Sequence, residues 1–207
     1  MRTNVYVDGF NLYYGCLKGT AYRWLDLGAL CRRLLPNDEI NRIRYFTALV
    51  TFRPDNPQER ERQLTYLRAL HTIPNLTVQL GHYLSRPVRM RLANPSLGGP
   101  ATVEVIRSEE KGSDVNLATH LLFDAFKHDC KAAVVISNDS DLKEPVDVAQ
   151  SELGLTVGVI NPHPPQFRSR ALRPTFFKQI RPATLRGCQF PPVLADAHGR
   201  IHKPAEW

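Results

Sequence analysis

The segment VVISNDSDL, residues 134–142, decides how the rest of the chain is interpreted. It begins with β-branched residues that are typical of a buried strand, and it runs directly into Asp139 and Asp141 with one serine between them. Carboxylates held this close repel each other and lose hydration when a fold crowds them. A bound cation would offset that cost, and the other ligands of such an ion would come from elsewhere in the chain.

The composition predicts one globular domain, with or without a small appendage. The chain has 207 residues, of which 43% are hydrophobic, and this is enough for a core. No stretch approaches the roughly 18 apolar residues that span a bilayer. Arg2 is followed by TNVYVDGFN, which lacks the apolar segment of a secretory signal. We therefore expect a cytoplasmic protein with no membrane partner.

The cysteines and histidines give little support for a zinc site. The four cysteines are scattered and form no CxxC pair, so reduced thiols are expected. Five histidines show no metal-ligand spacing, and we interpret them as surface or packing residues: His71, His82, His120, His128 and His163.

Segments typical of strands and helices alternate along the chain. NVYVDG (4–9), INRIRYFTALVTF (40–52), LTVQLGHYL (76–84), CKAAVVIS (130–137) and LTVGVIN (155–161) are strand-like. The helical segment 56–73 has an apolar face with Leu64, Leu67, Leu70 and Ile73, and the helical segment 111–129 has one with Leu117, Leu121, Leu122, Ala125 and Phe126. This alternation predicts an α/β fold, a three-layer α/β/α sandwich with a mostly parallel central sheet.

Two further features concern the organisation of the chain. PVRMRL and TVEVIR alternate by two around the turn-rich ANPSLGGPA, which predicts a β-hairpin insertion around 86–107. We predict one domain over 1–162 and a Pro/Arg-rich C-terminal extension over 163–207 that packs on it.

The basic residues suit a polyanionic partner. The net charge is +7 and the pI is about 9.4. Arginines gather in the hairpin and in QFRSRALRPTFFKQIRP (166–182), and the candidates for contact with nucleic acid are Arg86, Arg89, Arg91, Arg168 and Arg170. A solvated surface is the alternative for the hairpin arginines.

Four acids fall where parallel α/β sheets bind ligands, at the carboxyl ends of strands. Asp8 ends the first strand, Asp139 and Asp141 follow the strand from Ala132, and Asp114 begins the helix between them. If the two strands are neighbours, the acids share one rim and offer hard oxygen ligands to Mg²⁺ or Mn²⁺. Such a site supports metal-dependent phosphodiester hydrolysis.

Simpler roles are open for each acid alone. Asp8 suits an Asp-Gly turn, and Asp114, Asp139 or Asp141 suits a helix N-cap. The hypothesis of a metal site therefore depends on all four acids occurring together at one predicted edge of the sheet. Asn11, one helical step after Asp8, is placed to hydrogen-bond an acid or a phosphate.

Three segments resemble, in order and spacing, the motifs of the NYN domain family of PIN-like nucleases. They are VYVDGFNLYYG (5–15), KGSDVNLATHLL (111–122) and VVISNDSDLKEPV (134–146). The resemblance implies a PIN-like fold and a metal-dependent ribonuclease whose metal-binding and catalytic acids match Asp8, Asp114, Asp139 and Asp141. Asn11 matches a companion asparagine, and Asn138 stands where glycine is usual and Leu142 where an aromatic is common.

Within this interpretation Ser137 and Lys111 orient ligands or the scissile phosphate, although Lys111 is equally well a solvated charge. A DNA nuclease acting on single strands and a non-catalytic nucleic-acid-binding or regulatory module are the alternatives. A homodimer or a protein partner is also open. Phe10 argues against a haloacid-dehalogenase type of site, and DGFNLYYG does not supply the glycine-rich turn of a nucleotide-binding fold.

Overall fold

The central element of the molecule is a seven-stranded sheet. The structure, a computed structural model, describes residues 1–51 and 56–207. The strands of the sheet are β1 (Arg2–Asp8), β2 (Glu39–Ala48), β3 (Leu76–Arg91), β4 (Thr102–Lys111), β5 (Ala132–Ile136), β6 (Thr156–Asn161) and β7 (Phe176–Gln179). Their order is β4-β3-β2-β1-β5-β6-β7, and every neighbouring pair is parallel except β3 with β4. The strand predicted over 40–52 ends at Ala48, and its last residue, Phe52, lies outside the described residues.

Helices cover both faces of the sheet. They are α1 (Gly9–Leu12) with a π-helical continuation (Tyr13–Leu17), α2 (Leu27–Leu34), α3 (Glu59–Leu70), α4 (Ser113–Phe126), α5 (Lys143–Ser151) and α6 (Pro182–Arg186). Asp26 caps α2 by accepting a hydrogen bond from the Ala29 N–H at 2.9 Å. A separate antiparallel pair, β8 (Val193–Asp196) and β9 (Gly199–His202), follows in the C-terminal part.

The alternation of side chains along β1 divides the core into two layers. Val5 and Val7 pack in one cluster with α2 and α3, whereas Tyr6 packs in the other with α4 and α5. Because β1 lies between β2 and β5 and is covered on both faces, its apolar run is continuous. The predicted three-layer α/β/α sandwich with a mostly parallel sheet is thus confirmed.

A buried ion pair fixes α4 against the sheet. The Arg44 guanidinium donates to both oxygens of Asp124, at 2.8 and 2.9 Å, and the Tyr6 hydroxyl donates to the same carboxylate at 2.9 Å. Such a bidentate pair holds orientation as well as distance. The helix that carries Asp114 is therefore locked to β1 and β2.

The predicted hairpin is confirmed, with one difference. Residues 82–91 of β3 pair antiparallel with 102–111 of β4, while the first part of β3 pairs parallel with β2. The segments LTVQLGHYL and PVRMRL thus form one continuous strand and not two.

Two helix faces differ from the sequence prediction. Leu64 and Phe126 were expected to face inward, but they are 45% and 69% exposed. The buried stripe of α3 is centred on Tyr66 and Leu70, which places Leu64 on the opposite side of the helix. In α4 the side that faces the sheet carries Leu117, Leu121 and Asp124, so Phe126 lies on the exposed side of the helix.

The C-terminal part of the chain joins the rest at several points. β7 pairs with β6 as an edge strand of the central sheet. Arg68 of α3 donates to both oxygens of Asp196 in β8, at 2.7 and 2.6 Å. The Trp207 ring lies 6.2 Å from the Trp24 ring and 5.8 Å from the Tyr66 ring. Within 1–51 and 56–207, no helix is both long and apolar enough to cross a membrane.

Candidate active site

The two strands that carry the predicted acids are neighbours. β1 pairs with β5 in a register that sets Val7 beside Ile136, so Asp8 and Ser137 leave the sheet side by side. The Ser137 hydroxyl donates to Asp8 Oδ2 at 2.8 Å and accepts from the Asp139 N–H at 3.1 Å. The expected convergence of the two acidic strand ends is therefore present.

Asp8 is buried and acts partly as a cap. Its Oδ1 accepts the N–H of Asn11 at 2.9 Å and caps α1, a role that was not expected from the sequence, where the alternative for Asp8 was an Asp-Gly turn. Burial raises the pKa of Asp8, hydrogen bonds from Asn11 and Ser137 counter this rise, and the charge of Asp139 adds to it. The carboxylate is held in a fixed position where a second negative charge faces it.

Asn11 connects the two loops that follow the strands. Its Oδ1 accepts the Asn138 N–H at 3.0 Å and lies 3.0 Å from Nε2 of His163, which must donate here because a carbonyl oxygen only accepts. His163 is held in turn by Asn161, whose Oδ1 accepts its N–H at 2.9 Å. His163 is thus a half-buried polar support of the site, and its contact with Asn11 was not expected from the sequence.

Asp114 lies half-buried in the first turn of α4 and does not cap the helix. Gly112 occupies the N-cap with φ 99°, and Glu110 Oε1 accepts the Ser113 N–H at 3.0 Å. The capping alternative for Asp114 was therefore wrong. The role of Glu110 was not predicted from the sequence. Its position three residues before Ser113 is the local feature that would have indicated this hydrogen bond.

The charges around Asp114 show which acids face one another. Burial raises its pKa to about 6, and the carboxylates of Asp8, Asp139, Glu110 and Asp141 contribute in that order. The other three predicted acids thus lie within electrostatic reach of Asp114. Asp139 also accepts the Asp141 N–H at 3.0 Å and begins the 3-10 turn Ser140–Leu142.

Nothing in the described part of the protein neutralises this cluster. No lysine or arginine of residues 1–51 and 56–207 forms an ion pair with the four acids. In the same ranges, no three His, Cys, Asp or Glu side chains are close enough together to hold a metal ion as they stand. The four aspartates therefore form a loose set of hard oxygen donors with uncompensated charge.

The predicted phosphate-binding residues fall in two groups. Asn138 donates to the Phe167 carbonyl at 2.7 Å and accepts the Ser169 N–H at 2.7 Å, so the loop with Arg168 and Arg170 lies beside the acids. Arg168 is stacked 3.5 Å from the centre of the Phe177 ring.

The other group lies on the hairpin. Lys111, at the end of β4, is 3.4 Å from Glu109. Arg86 is paired across the hairpin with Arg107, on the face opposite to Arg89 and Arg91. At about 3.4 Å per residue, Arg91 is about 30 Å from the base of the hairpin at His82. The hairpin arginines are thus spread along two faces of an exposed arm.

Comparison with known proteins identifies the family. The NYN domain matches residues 2–177, and the chain belongs to this family of PIN-like nucleases. The chain is also similar to 6-hydroxy-3-succinoylpyridine 3-monooxygenase HspA of Pseudomonas putida (strain DSM 28022 / S16). The two are 30% identical over 237 aligned residues, which cover 100% of this chain and 75% of that protein.

A solved structure supports the fold. The crystal structure of a protein of unknown function from Vibrio parahaemolyticus RIMD 2210633 superposes with a TM-score of 0.54 at 20% identity. The match covers 87% of this chain and 93% of that one. At this identity the likeness concerns the fold alone.

Proposed function

We propose that the protein is a metal-dependent ribonuclease in which Asp8, Asp114, Asp139 and Asp141 hold Mg²⁺ or Mn²⁺. The observation that carries the proposal is the convergence of Asp8 and Asp139 at the ends of the neighbouring strands β1 and β5, joined through the Ser137 hydroxyl. Burial and then the neighbouring carboxylates raise the pKa of Asp114, which agrees with it. Family membership independently favours a nuclease. The proposed setting is the cytoplasm.

The residues fit a hard divalent cation. Carboxylate oxygens are the ligands that Mg²⁺ and Mn²⁺ prefer, and these acids have no basic partner among the described residues. A cation would offset the burial that raises the pKa of Asp114 and the repulsion from neighbouring carboxylates that adds to it. When bound, it would activate water and neutralise the charge that develops on a phosphodiester.

Other residues of the chain position the acids and attract the phosphates of a bound strand. Ser137 and Asn11 keep Asp8 and the Asn138 loop together through the hydrogen bonds described above. Arg168 and Arg170, beside the acids, would hold the phosphates of a bound strand, whereas Lys111 and the hairpin arginines would extend contact along it. RNA is proposed over single-stranded DNA because of the family, and a homodimer or protein partner is compatible with this function.

The experiment compares cleavage of a labelled mixed-sequence RNA with that of a matched single-stranded DNA. Wild type and Asp139→Asn would be incubated with Mn²⁺, with Mg²⁺ and with EDTA, and Asp147→Asn, an acid of α5 paired with Lys143, is the matched control. Metal-dependent cleavage that Asp139→Asn abolishes and Asp147→Asn retains supports the proposal. If the wild-type protein binds nucleic acid without cleaving it, the result would favour a non-catalytic nucleic-acid-binding module. Preferential cleavage of the single-stranded DNA would favour a DNA nuclease.

The similarity to HspA favours a second candidate, a monooxygenase acting on a pyridine-type substrate. That protein is named for oxygenation of 6-hydroxy-3-succinoylpyridine, and its likeness extends over this whole chain. A monooxygenase needs dioxygen and two electrons from an external reductant. Hydroxylation of this pyridine by the same preparation, supplied with air and NADH, with no RNA cleavage, would favour the second candidate.

A further inference from the structure

A cavity of about 140 Å³ lies next to the acidic cluster, and aromatic rings form a large part of its lining. The rings come from distant parts of the chain and include Tyr13, Tyr14, Tyr45, Tyr66, Tyr83 and Trp207. An apolar cavity of about 150 Å³ in another protein accommodates benzene, so this one is large enough for a planar ring.

The cavity and the acidic cluster share a wall. Gly9 and Phe10, which follow Asp8 directly, line the cavity. A Cβ on Gly9 would lie 2.7 Å from the Tyr45 hydroxyl oxygen and from the Phe46 carbonyl oxygen, so only glycine lets the tyrosine pack against this backbone. A ring in the cavity would therefore be close to Asp8, where the proposed function places a cation.

Among the described residues that line the cavity, one buried side-chain oxygen has no hydrogen-bond partner. Glu59 lines the cavity from the first turn of α3, and its Oε2 is buried without a hydrogen bond. Buried acceptors without a donor are rare in native proteins, so this oxygen indicates a donor that a ligand would bring. Burial raises the pKa of Tyr13, Arg23 lowers it, and Glu59 raises it, which places the Glu59 carboxylate near that ring.

The two arginines of the lining are already engaged. Arg23 donates to the Thr20 carbonyl at 3.2 Å and stacks on the Trp207 ring. Arg62 donates to Asn56 Oδ1 at 2.5 Å and lies 3.5 Å from Glu206. The acceptor on Glu59, and not a free positive charge, is thus the polar group that distinguishes the cavity.

We propose that this cavity binds a nucleobase of the RNA strand whose scissile phosphate lies at the acidic cluster, and that Glu59 accepts a hydrogen bond from the base. This inference rests on the proposed ribonuclease function. Aromatic side chains stack on the face of any base, and proteins read unstacked bases of single-stranded RNA through their hydrogen-bonding edges. A carboxylate selects bases with an exocyclic amino group, as in contacts of Glu with cytosine N4.

The test measures binding to uridine oligonucleotides that carry one central A, C, G or U. Fluorescence anisotropy would be recorded in EDTA with the Asp139→Asn protein, which removes cleavage from the measurement. We expect the three amino-bearing bases to bind several-fold more tightly than uridine. Glu59→Gln should abolish that preference, and Tyr14→Ala should weaken binding of all four by about tenfold through the lost ring.

Glu61→Gln is the matched control, because Glu61 lies in the same helical turn but is exposed and does not line the cavity. It should bind like the parent. Equal binding by the parent, Glu59→Gln and Tyr14→Ala would overturn the inference, as would binding of free heterocycles with no binding of RNA. Cleavage of RNA by the wild-type protein in Mn²⁺ is measured separately. Cleavage without a base preference would overturn the role of the cavity alone, whereas absence of cleavage would count against the ribonuclease function.

Discussion

Replacement of Asp114 by asparagine should stabilise the metal-free protein, although it removes a predicted catalytic residue. The pKa of Asp114 is raised from 3.8 to about 6, and one pKa unit corresponds to about 1.4 kcal/mol, so the full cost of the charge is about 3 kcal/mol. Asp114 is half-exposed, and solvent screening reduces this to about 1.5 kcal/mol. Loss of a favourable charge at the N-terminus of α4 costs about 0.5 kcal/mol. The net gain is about 1 kcal/mol at pH 7, or about 3 °C in Tm.

The sign of the pH dependence follows from the raised pKa. The folded state binds the proton more tightly than the unfolded chain, so this group favours folding below pH 3.8, and that contribution is lost as pH rises to about 6. The advantage of Asp114→Asn should therefore be full above pH 6 and absent near pH 4. The assay is urea unfolding in EDTA at several pH values, with Glu144→Gln, an exposed acid in the first turn of α5, as control. The reasoning would be refuted if the Asp114→Asn protein were no more stable than wild type at pH 7. It would also be refuted if the gain in stability at pH 4 equalled the gain at pH 7.

Two further predictions concern supporting residues. Arg44→Ala should cost about 3–5 kcal/mol in urea unfolding because it leaves the buried Asp124 carboxylate without its cation, and an unchanged midpoint would show that the pair does not hold α4. His163→Ala should lower kcat by about tenfold or more with little change in Tm, because residues that orient metal-site groups have effects of this size. His71→Ala, at an exposed position after α3, should leave kcat unchanged, and an equal loss in both variants would contradict a positioning role for His163.

The acids could be located from sequence because their positions follow from local rules. A short apolar strand that ends in acids indicates the rim of a parallel sheet, and one adjacency, that of β1 with β5, was enough to bring Asp8 to Asp139. The assignment of these acids as metal ligands stays a prediction.

The parts that were missed depend on tertiary contacts. β7 has four half-buried residues and no alternation that distinguishes it from the surrounding loop. His163 approaches Asn11 only because the chain turns back after β6 and is held by Asn161. The aromatic cavity combines residues from Gly9 to Trp207, and no spacing in the sequence relates them. Leu64 and Phe126 were misassigned because helical periodicity does not reveal which side of a helix meets the sheet.

The position of β1 in the middle of the sheet has a consequence for synthesis. Ser137 and Asp8, which share a hydrogen bond, are 129 residues apart in sequence. Chains emerge from the ribosome N-terminus first, so β1 and β2 are available long before β5. Until β5 arrives, β1 has an open apolar edge that favours pairing with other chains. The nascent protein is thus exposed to aggregation until β5 has left the ribosome. Its acidic cluster is incomplete for the same interval, so the nuclease proposed above would be inactive during that part of its synthesis.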